Sequence, residues 1–390
     1  MKYVIYIFLL GMFFNVNGQT NVNGSISIDG NELLYRLFIP SAYDESLATP
    51  LVISMHGFGG NGVGQQNYDG LSFVADTAGF LVVYPTAFNN TWNAGEDYYS
   101  DYTSFNDVAF ISQLIDSISL LYNIDLTRVY ACGMSNGGDM AYRLACELSD
   151  RIAAVGSVTG TMITDIYASC APEYPMPVLH FHGTGDDISS ISGGPGWVSL
   201  KQTIGLWRTI NNCSDKMINI VPNTDPEDNT TARLFSFDCP EARLDYYIIK
   251  NGGHTWPGTP YDFFSVFAFG YTSGDIAGSA ELWRFFSEFT RESPSTIGRQ
   301  ALTVEHDSDS VLLWPNPVTS ELNISYHASS SSEGLLSVCN LSGQTLKEIP
   351  THILHGLNSW QLPLEGLSHG IYVVKVQAAS AQYVRTFIKQ

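Results

Sequence analysis

Gly133-Met134-Ser135-Asn136-Gly137 constrains this chain more than any other string. A short apolar, β-prone run, Arg128–Cys132, leads into it, and Gly138–Leu148 follows with the composition of a helix. Two glycines flank a serine where a strand must turn sharply into a helix. Glycine leaves room for a strained turn that larger residues would obstruct. The serine then stands clear of the sheet at a helix N-terminus, the context a nucleophile elbow requires. The pattern recurs at Gly366-Leu367-Ser368-His369-Gly370. There a strand-like run, Ile371–Val376, follows in place of a helix, so Ser368 reads as a turn residue.

The surroundings of Ser135 extend the argument. From Asn31 to about Thr290 short apolar runs alternate with helical ones. Leu33–Ile39, Leu51–Met55, Leu81–Tyr84, Arg128–Gly133, Ala153–Val158, Val178–His182 and Tyr246–Lys250 read as strands. Leu71–Ala78, a segment capped at Asn106-Asp107 and running to about Tyr122, Gly138–Leu148 and Ala280–Thr290 read as helices. Short apolar strands between helices predict an α/β fold, a mostly parallel sheet covered on both faces. Chemistry in such folds sits at the carboxyl ends of the strands. Residues 291–309 are rich in Ser, Thr, Glu, Asp and Arg and read as a linker. Beyond them Glu321–Tyr326, Leu335–Asn340, Gln344–Ile349, Ser359–Leu362 and Ile371–Gln377 predict a small all-β sandwich.

At the other end, residues 1–18 have the order of a secretory signal: Lys2, an apolar stretch from Val4 to Phe14, then small and polar residues. That stretch is short for a bilayer span, which takes about 20 residues. Export permits disulfides. Cys132 reads as a small buried hydrophobe, and Cys339 lies apart in the C-terminal region. The remaining four cysteines allow three pairings. The nearest-neighbour set, Cys146–Cys170 and Cys213–Cys239, is the expected one. The net charge of −20 argues against nucleic acid or an anionic membrane as partner.

A serine needs a base to take its proton, an acid to orient the base, and donors for a developing oxyanion. Asp186 lies just past the Val178–His182 strand and is the candidate acid, with Asp187 the alternative. His254, between glycines after the Tyr246–Lys250 strand, is the candidate base. The order Ser135, Asp186, His254 is that of α/β-hydrolases. Met55-His56-Gly57-Phe58-Gly59-Gly60 offers exposed N–H groups at an early strand end. The Phe58 and Asn136 N–H groups are assigned to the oxyanion hole. This glycine run lacks the lysine of a phosphate-binding loop. Trp92 and Trp256 either line a substrate pocket or pack in the core. His180 and His182 read as core histidines rather than metal ligands, and Asp225, Glu227 and Asp228 as a solvated acidic loop, with weak calcium binding as the alternative. Without a C-x-x-C pair, zinc is not expected.

Together, Met55–Gly62, Thr91–Gly95, Asn106–Ile111, Gly133–Leu144, His182–Asp186 and Gly253–Gly258 resemble the secreted polyhydroxybutyrate depolymerase and feruloyl/acetylxylan esterase group of α/β-hydrolases. The resemblance spans about residues 25–290. It implies hydrolysis of carboxylic esters through an acyl-enzyme, without a cofactor, with Ser135 as nucleophile, Asp186 as acid and His254 as base. Asp187 departs from the small residue or proline common after the acid, so the two aspartates remain exchangeable at this stage.

Residues 310–390, with Trp314-Pro315-Asn316-Pro317, Leu341-Ser342-Gly343-Gln344 and Gly370–Val376 leading to Lys389-Gln390, resemble the type A sorting domain of the type IX secretion system. That implies export by this machinery, then release or surface attachment. The competing reading of this sandwich is a carbohydrate-binding module. Those of the whole chain are a serine peptidase on the same fold and a catalytically silent binding protein.

Overall fold

A computed structural model describes residues 19–291 apart from 29, 215 and 260–267, and residues 311–389 apart from 315–317, 319, 329, 341–343, 355, 369 and 379–380. The expected signal segment and nearly all of the expected linker lie outside the described residues. The chain divides into two units, Met1–Ser295 and Thr296–Gln390.

The first unit runs β1 (Thr20–Ile28), β2 (Asn31–Ile39), β3 (Thr49–Met55), α1 (Gly62–Asp69), α2 (Leu71–Ala78), β4 (Leu81–Pro85), α3 (Glu96–Tyr99), α4 (Asp107–Leu121), β5 (Ile124–Met134), α5 (Asn136–Glu147), β6 (Ala154–Val158), α6 (Thr164–Ser169), β7 (Val178–Gly183), α7 (Leu200–Ile210), β8 (Lys216–Ile220), β9 (Thr231–Phe237), β10 (Leu244–Lys250) and α8 (Gly278–Phe286). Its strands form one sheet in the order β1-β2-β4-β3-β5-β6-β7-β10-β9-β8. The centre, β4 to β10, is parallel throughout. Antiparallel pairs close both edges.

Hydrophobic patterning explains this division. Every residue of β3, β4, β6 and β7 is buried, as strands covered on both faces must be. One face packs Leu51, Ile53, Val83, Ala131 and Val155 under α4, α5 and α7. The other packs Val52, Val82, Tyr130, Cys132 and Leu179 under α2 and α8. The edge strands carry no such runs. β1 alternates exposed and half-buried positions, and all five residues of β8 are exposed. Neither β1 nor the β8–β9 hairpin is anticipated by the apolar runs, and the sheet begins at Thr20, ahead of the expected boundary at residue 25. α8 starts two residues earlier than expected and ends at Phe286 rather than Thr290.

α4 begins where its cap predicts, the Asn106 side chain accepting the Ala109 N–H at 3.1 Å. The two disulfides are Cys146–Cys170 and Cys213–Cys239, while Cys132 and Cys339 are buried and unpaired. No helix among the described residues is long and apolar enough to cross a membrane.

The second unit is a sandwich of two antiparallel sheets. β11 (Val311–Trp314), β12 (Glu321–Ala328) and β15 (Gly356–Pro363) form one; β14 (Thr345–Ile353), β13 (Ser332–Asn340), β16 (Gly370–Ala378) and β17 (Ala381–Lys389) form the other. Val311, Leu322, Ile324, Leu336, Val338, Val374, Val376 and Phe387 fill the space between them. β11 and β17 are additional to the strands expected. Ser368 stands in the turn before β16, its hydroxyl 3.2 Å from that of Tyr372. No helix follows it.

Candidate active site

The connection after β3 runs to β4 on one side, whereas β5 lies on the other side of β3. This is the switch point of the sheet, where the loops after adjacent parallel strands part and leave a crevice. The loop after β3 carries Phe58, and the turn after β5 carries Ser135.

Ser135 is the single residue between β5 and α5, with φ 55° and ψ −123°. A non-glycine residue at positive φ is strained and persists only where its surroundings impose it. Here the imposition is close backbone packing. A Cβ at Gly137 would fall 2.3 Å from the Met55 carbonyl oxygen, and one at Gly133 would fall 2.4 Å from the Gly137 oxygen. The Ser135 N–H donates to the Val158 carbonyl at 2.8 Å, tying the turn to β6. Ser135 itself is half-buried.

Asp186 and His254 meet across the ends of β7 and β10, which pair in parallel. The His254 Nδ1–H donates to Asp186 Oδ2 at 2.8 Å, and the carboxylate is wholly inaccessible to solvent. Oδ1 accepts the N–H groups of Ile188 at 3.0 Å and Ser189 at 2.8 Å. These bonds fix the carboxylate and leave His254 Nε2 as the ring nitrogen without a hydrogen-bond partner among the described residues. Asp187 is exposed, and it is Asp186 that the His254 ring reaches. Ser135 Oγ and His254 make no mutual hydrogen bond in the structure. Such contacts often tighten only with substrate.

His180 and His182 form a buried chain behind the acid. Tyr142 Oη lies 2.9 Å from His180 Nδ1, His180 Nε2 lies 3.1 Å from His182 Nδ1, and His182 Nε2 lies 2.7 Å from the Ser189 carbonyl. Burial lowers the pKa of both rings. Neutral rings then donate in sequence, with Tyr142 at the head and Ser189 at the end. They brace the loop holding Asp186. Asp225 and Asp228 are engaged in a loop network. The Asp225 N–H donates to Asp275 at 3.1 Å, and Asp228 accepts the Thr230 and Gly274 N–H groups.

The loop after β3 is held through its carbonyls. Neutral His56 is central: its Nδ1–H donates to the Gly57 carbonyl at 2.7 Å, and its Nε2 accepts the Ala87 N–H at 3.1 Å. Burial pushes its pKa down to about 4. The Gly60 N–H also donates to Gly57 O at 3.0 Å. With the carbonyls engaged, the Phe58 N–H is left without a protein acceptor among the described residues. The Asn136 N–H is the first of α5, where helix geometry provides no partner. Gly57 approaches the turn so closely that a Cβ there would lie 3.5 Å from Ser135 Cβ.

The two tryptophans are not pocket walls. Both are fully buried, which corrects the pocket-lining alternative, because each indole N–H finds its partner inside the protein. Trp92 Nε1 donates to the His56 carbonyl at 3.0 Å. Its backbone N–H and carbonyl are both held by the Asn136 side chain, at 2.8 and 2.9 Å. Trp256 Nε1 donates to Ser279 Oγ at 3.0 Å, and its N–H donates to Tyr68 Oη at 3.0 Å. It fastens the His254 loop to α8 and α1. His56 and the Asn136 side chain are missed by motif reading, although both lie inside the motifs; His56 directly precedes the glycine run.

This fold, with a serine elbow and an Asp–His pair at the strand ends, is an α/β-hydrolase. Residues 33–192 match the esterase PHB depolymerase family, and residues 312–390 match the secretion system C-terminal sorting domain. The match to the esterase family lies wholly within the first unit, and the match to the sorting domain wholly within the second.

Over 142 residues, 36% of this chain, it is 33% identical to the bifunctional acetylxylan esterase/xylanase XynS20E of Neocallimastix patriciarum, 20% of whose length is covered. It is 30% identical over 181 residues to feruloyl esterase C of Emericella nidulans, covering 45% of this chain and 62% of that one. With feruloyl esterase B of Piromyces equi it shares 27% identity over 203 residues, 48% of this chain and 37% of the other. The matched region thus spans less than two thirds of each of these relatives. Among solved structures, an acetyl xylan esterase from Aspergillus awamori is similar at TM-score 0.48 and 13% identity, over 60% of this chain and 94% of that one.

Proposed function

We propose that the chain is an exported serine esterase that hydrolyses carboxylic esters of the feruloyl, acetylxylan or polyhydroxyalkanoate type. The observation that carries this reading is the 2.8 Å bond from His254 Nδ1 to a buried, doubly amide-bonded Asp186, past the carboxyl ends of the same set of parallel strands that includes the one ending in the strained Ser135 elbow.

In this mechanism His254 Nε2 takes the Ser135 hydroxyl proton as Oγ attacks the ester carbonyl. Asp186 holds the ring in the correct tautomer and stabilises the imidazolium. The carbonyl oxygen becomes an oxyanion facing the N–H groups of Phe58 and Asn136. Fixed donors there need no reorganisation as charge develops, and the positive end of α5 adds to them. Collapse breaks the ester C–O bond, and His254 returns its proton to the departing alcohol. A water activated by the same ring then attacks the acyl-Ser135 ester, releasing the acid and restoring the hydroxyl.

No cofactor enters this cycle. The names of the relatives support an acyl group carried on a plant polysaccharide. The sorting domain supports the type IX machinery as the partner in export, with the mature protein extracellular or attached to the cell surface.

The test is p-nitrophenyl acetate hydrolysis. Ser135→Ala should lower kcat by about 10⁶, the loss seen when a triad nucleophile is removed, while Ser368→Ala stays within about twofold. More than a percent of activity retained by pure Ser135→Ala sinks the assignment.

A further inference from the structure

Resting on the esterase reading, we propose that Phe58, Tyr102, Tyr98 and Trp197 form a strip at the mouth of the site that binds the neutral pyranose rings of the polysaccharide bearing the ester.

The strip is built from two edge-to-face pairs. Phe58 and Tyr102 have ring centroids 4.9 Å apart with planes at 81°, and Tyr98 and Trp197 are 5.0 Å apart at 81°. Tyr98 and Tyr102 link the pairs, four residues apart on α3 and the turn after it. A ring that presents its edge keeps both faces clear of its partner. Phe58, Tyr102 and Tyr98 are 54%, 50% and 39% exposed. The strip starts at Phe58, whose own N–H is assigned to the oxyanion hole. It leads to Trp197, on the loop that follows Asp186.

Exposed aromatic side chains on a flexible loop would mean little, but this mount is rigid. A Cβ at Gly95 would fall 2.5 Å from Ile163, and one at Gly196 would fall 2.9 Å from the Asp97 carbonyl and 3.0 Å from Tyr98 Cβ. The Glu96 N–H donates to Asp165 at 2.9 Å, the Tyr99 hydroxyl to Asp139 at 2.7 Å, and the Thr164 N–H to Gly196 O at 3.0 Å. The segments holding Tyr98 and Trp197 are therefore locked together, and their rings are positioned before any ligand arrives. Rigid aromatic anchors lose little entropy on binding.

Ligand identity follows from exposure and charge. An aromatic acyl group calls for an enclosed slot, whereas this surface is open. Pyranose rings present an apolar C–H face that stacks on an aromatic ring and a hydroxyl rim that bonds to tyrosine hydroxyls. Glu96, Asp97 and Asp101 are exposed beside the strip, so an anionic polymer is repelled and an uncharged one is not.

The experiment uses the full chain. Ser135→Ala protein is titrated calorimetrically with unesterified xylohexaose, with and without the added pair Tyr98→Ala/Tyr102→Ala. Removing two stacking rings should weaken binding about tenfold or more. In active protein the same pair should lower kcat/KM on acetylated xylan, relative to methyl ferulate, by about tenfold. Melting curves establish that the variants are folded. Equal affinity with and without the tyrosines overturns the proposal. So does a loss falling on methyl ferulate instead, which would assign the strip to the acyl ring. Tyrosine-dependent sugar binding by a protein that hydrolyses neither ester would keep the strip and remove the esterase reading.

Discussion

Trp92→Phe tests whether a buried indole sets the geometry of the proposed oxyanion hole. Trp92 is wholly buried and makes no hydrogen bond to Ser135. It joins the two chain segments whose N–H groups are assigned to the hole: its ring N–H holds the His56 carbonyl, and its backbone is clamped by Asn136. Phenylalanine keeps an aromatic ring against His56 and Phe110, which lie 5.2 and 6.2 Å from the indole centroid. It removes the donor and leaves the His56 carbonyl buried and unpaired.

That defect costs about 1–3 kcal/mol. In a unit of this size each kcal/mol moves Tm by roughly 2–4 °C, so the hydrogen bond alone is worth roughly 4–8 °C at the midpoint of that range. Trp207→Phe is the control. Trp207 is equally buried, but its indole nitrogen has no partner among the described residues, so this change loses ring volume and no hydrogen bond. Deleting an oxyanion donor costs about 10²–10³ in kcat; a donor present but displaced should cost about tenfold. The expected result on p-nitrophenyl acetate is a kcat about tenfold down for Trp92→Phe with KM within about threefold, and kcat within about twofold for Trp207→Phe. If Trp92→Phe melts early yet keeps wild-type kcat, the indole stabilises the fold without aiming the loop, and the reasoning fails.

Two further outcomes follow from the same geometry. Asp186→Asn should lower kcat by about 10⁴ through loss of the imidazole orientation, and exposed Asp187→Asn should do far less; the opposite ranking in steady-state assays transfers the acid to Asp187. Burial raises the Asp139 pKa from 3.8 to about 7, so between those values the folded state holds a proton that the unfolded chain has released, and stability falls as pH rises through that window. Asp139→Asn removes this slope, and its Tm minus that of wild type should be higher at pH 8 than at pH 5; a difference independent of pH refutes the buried-acid reading.

The centre of the sheet was legible because its physics is repetitive. β3, β4, β6 and β7 are buried on both faces, so each reads as a short, mainly apolar run with few polar interruptions. The edges obey other rules. Met217, Ile218 and Ile220 of β8 are exposed, and β1 writes a half-exposed alternation over Asn, Ser and Gly that resembles a loop. The disulfides were legible because each closes a short loop, with separations of 24 and 26 residues. Within the site, residues carried on glycine-marked strand ends could be found, since the turn leaves its mark in the sequence. Trp92 and Trp256 could not be placed, because a tryptophan reads alike whether its N–H faces a pocket or a carbonyl. Asp186 reads as the acid ahead of Asp187 from its place just beyond a parallel strand, and the structure adds that the His254 ring bonds Asp186, a matter of direction that neighbours on a loop do not reveal in their pattern.

The polar residues that hydrophobic patterning overlooks cluster around this crevice. Asp107 accepts the Asn93 N–H at 2.7 Å, and Asp139 accepts the Thr161 N–H at 2.7 Å together with the Tyr99 hydroxyl. His56 and His182 hold Gly57 and Ser189, and Asn136 holds Trp92. Each acts on the backbone of a loop that has little secondary structure to stiffen it. Burying such groups is costly unless their hydrogen bonds are made, and burial raises Asp107 and Asp139 alike to about 7. A fold selected for stability alone would fill these positions with apolar side chains. Their concentration at the carboxyl ends of β3 to β10 is what rigid loops around a reaction centre require, and it explains why the same residues are exposed to pH in a way the sheet core is not.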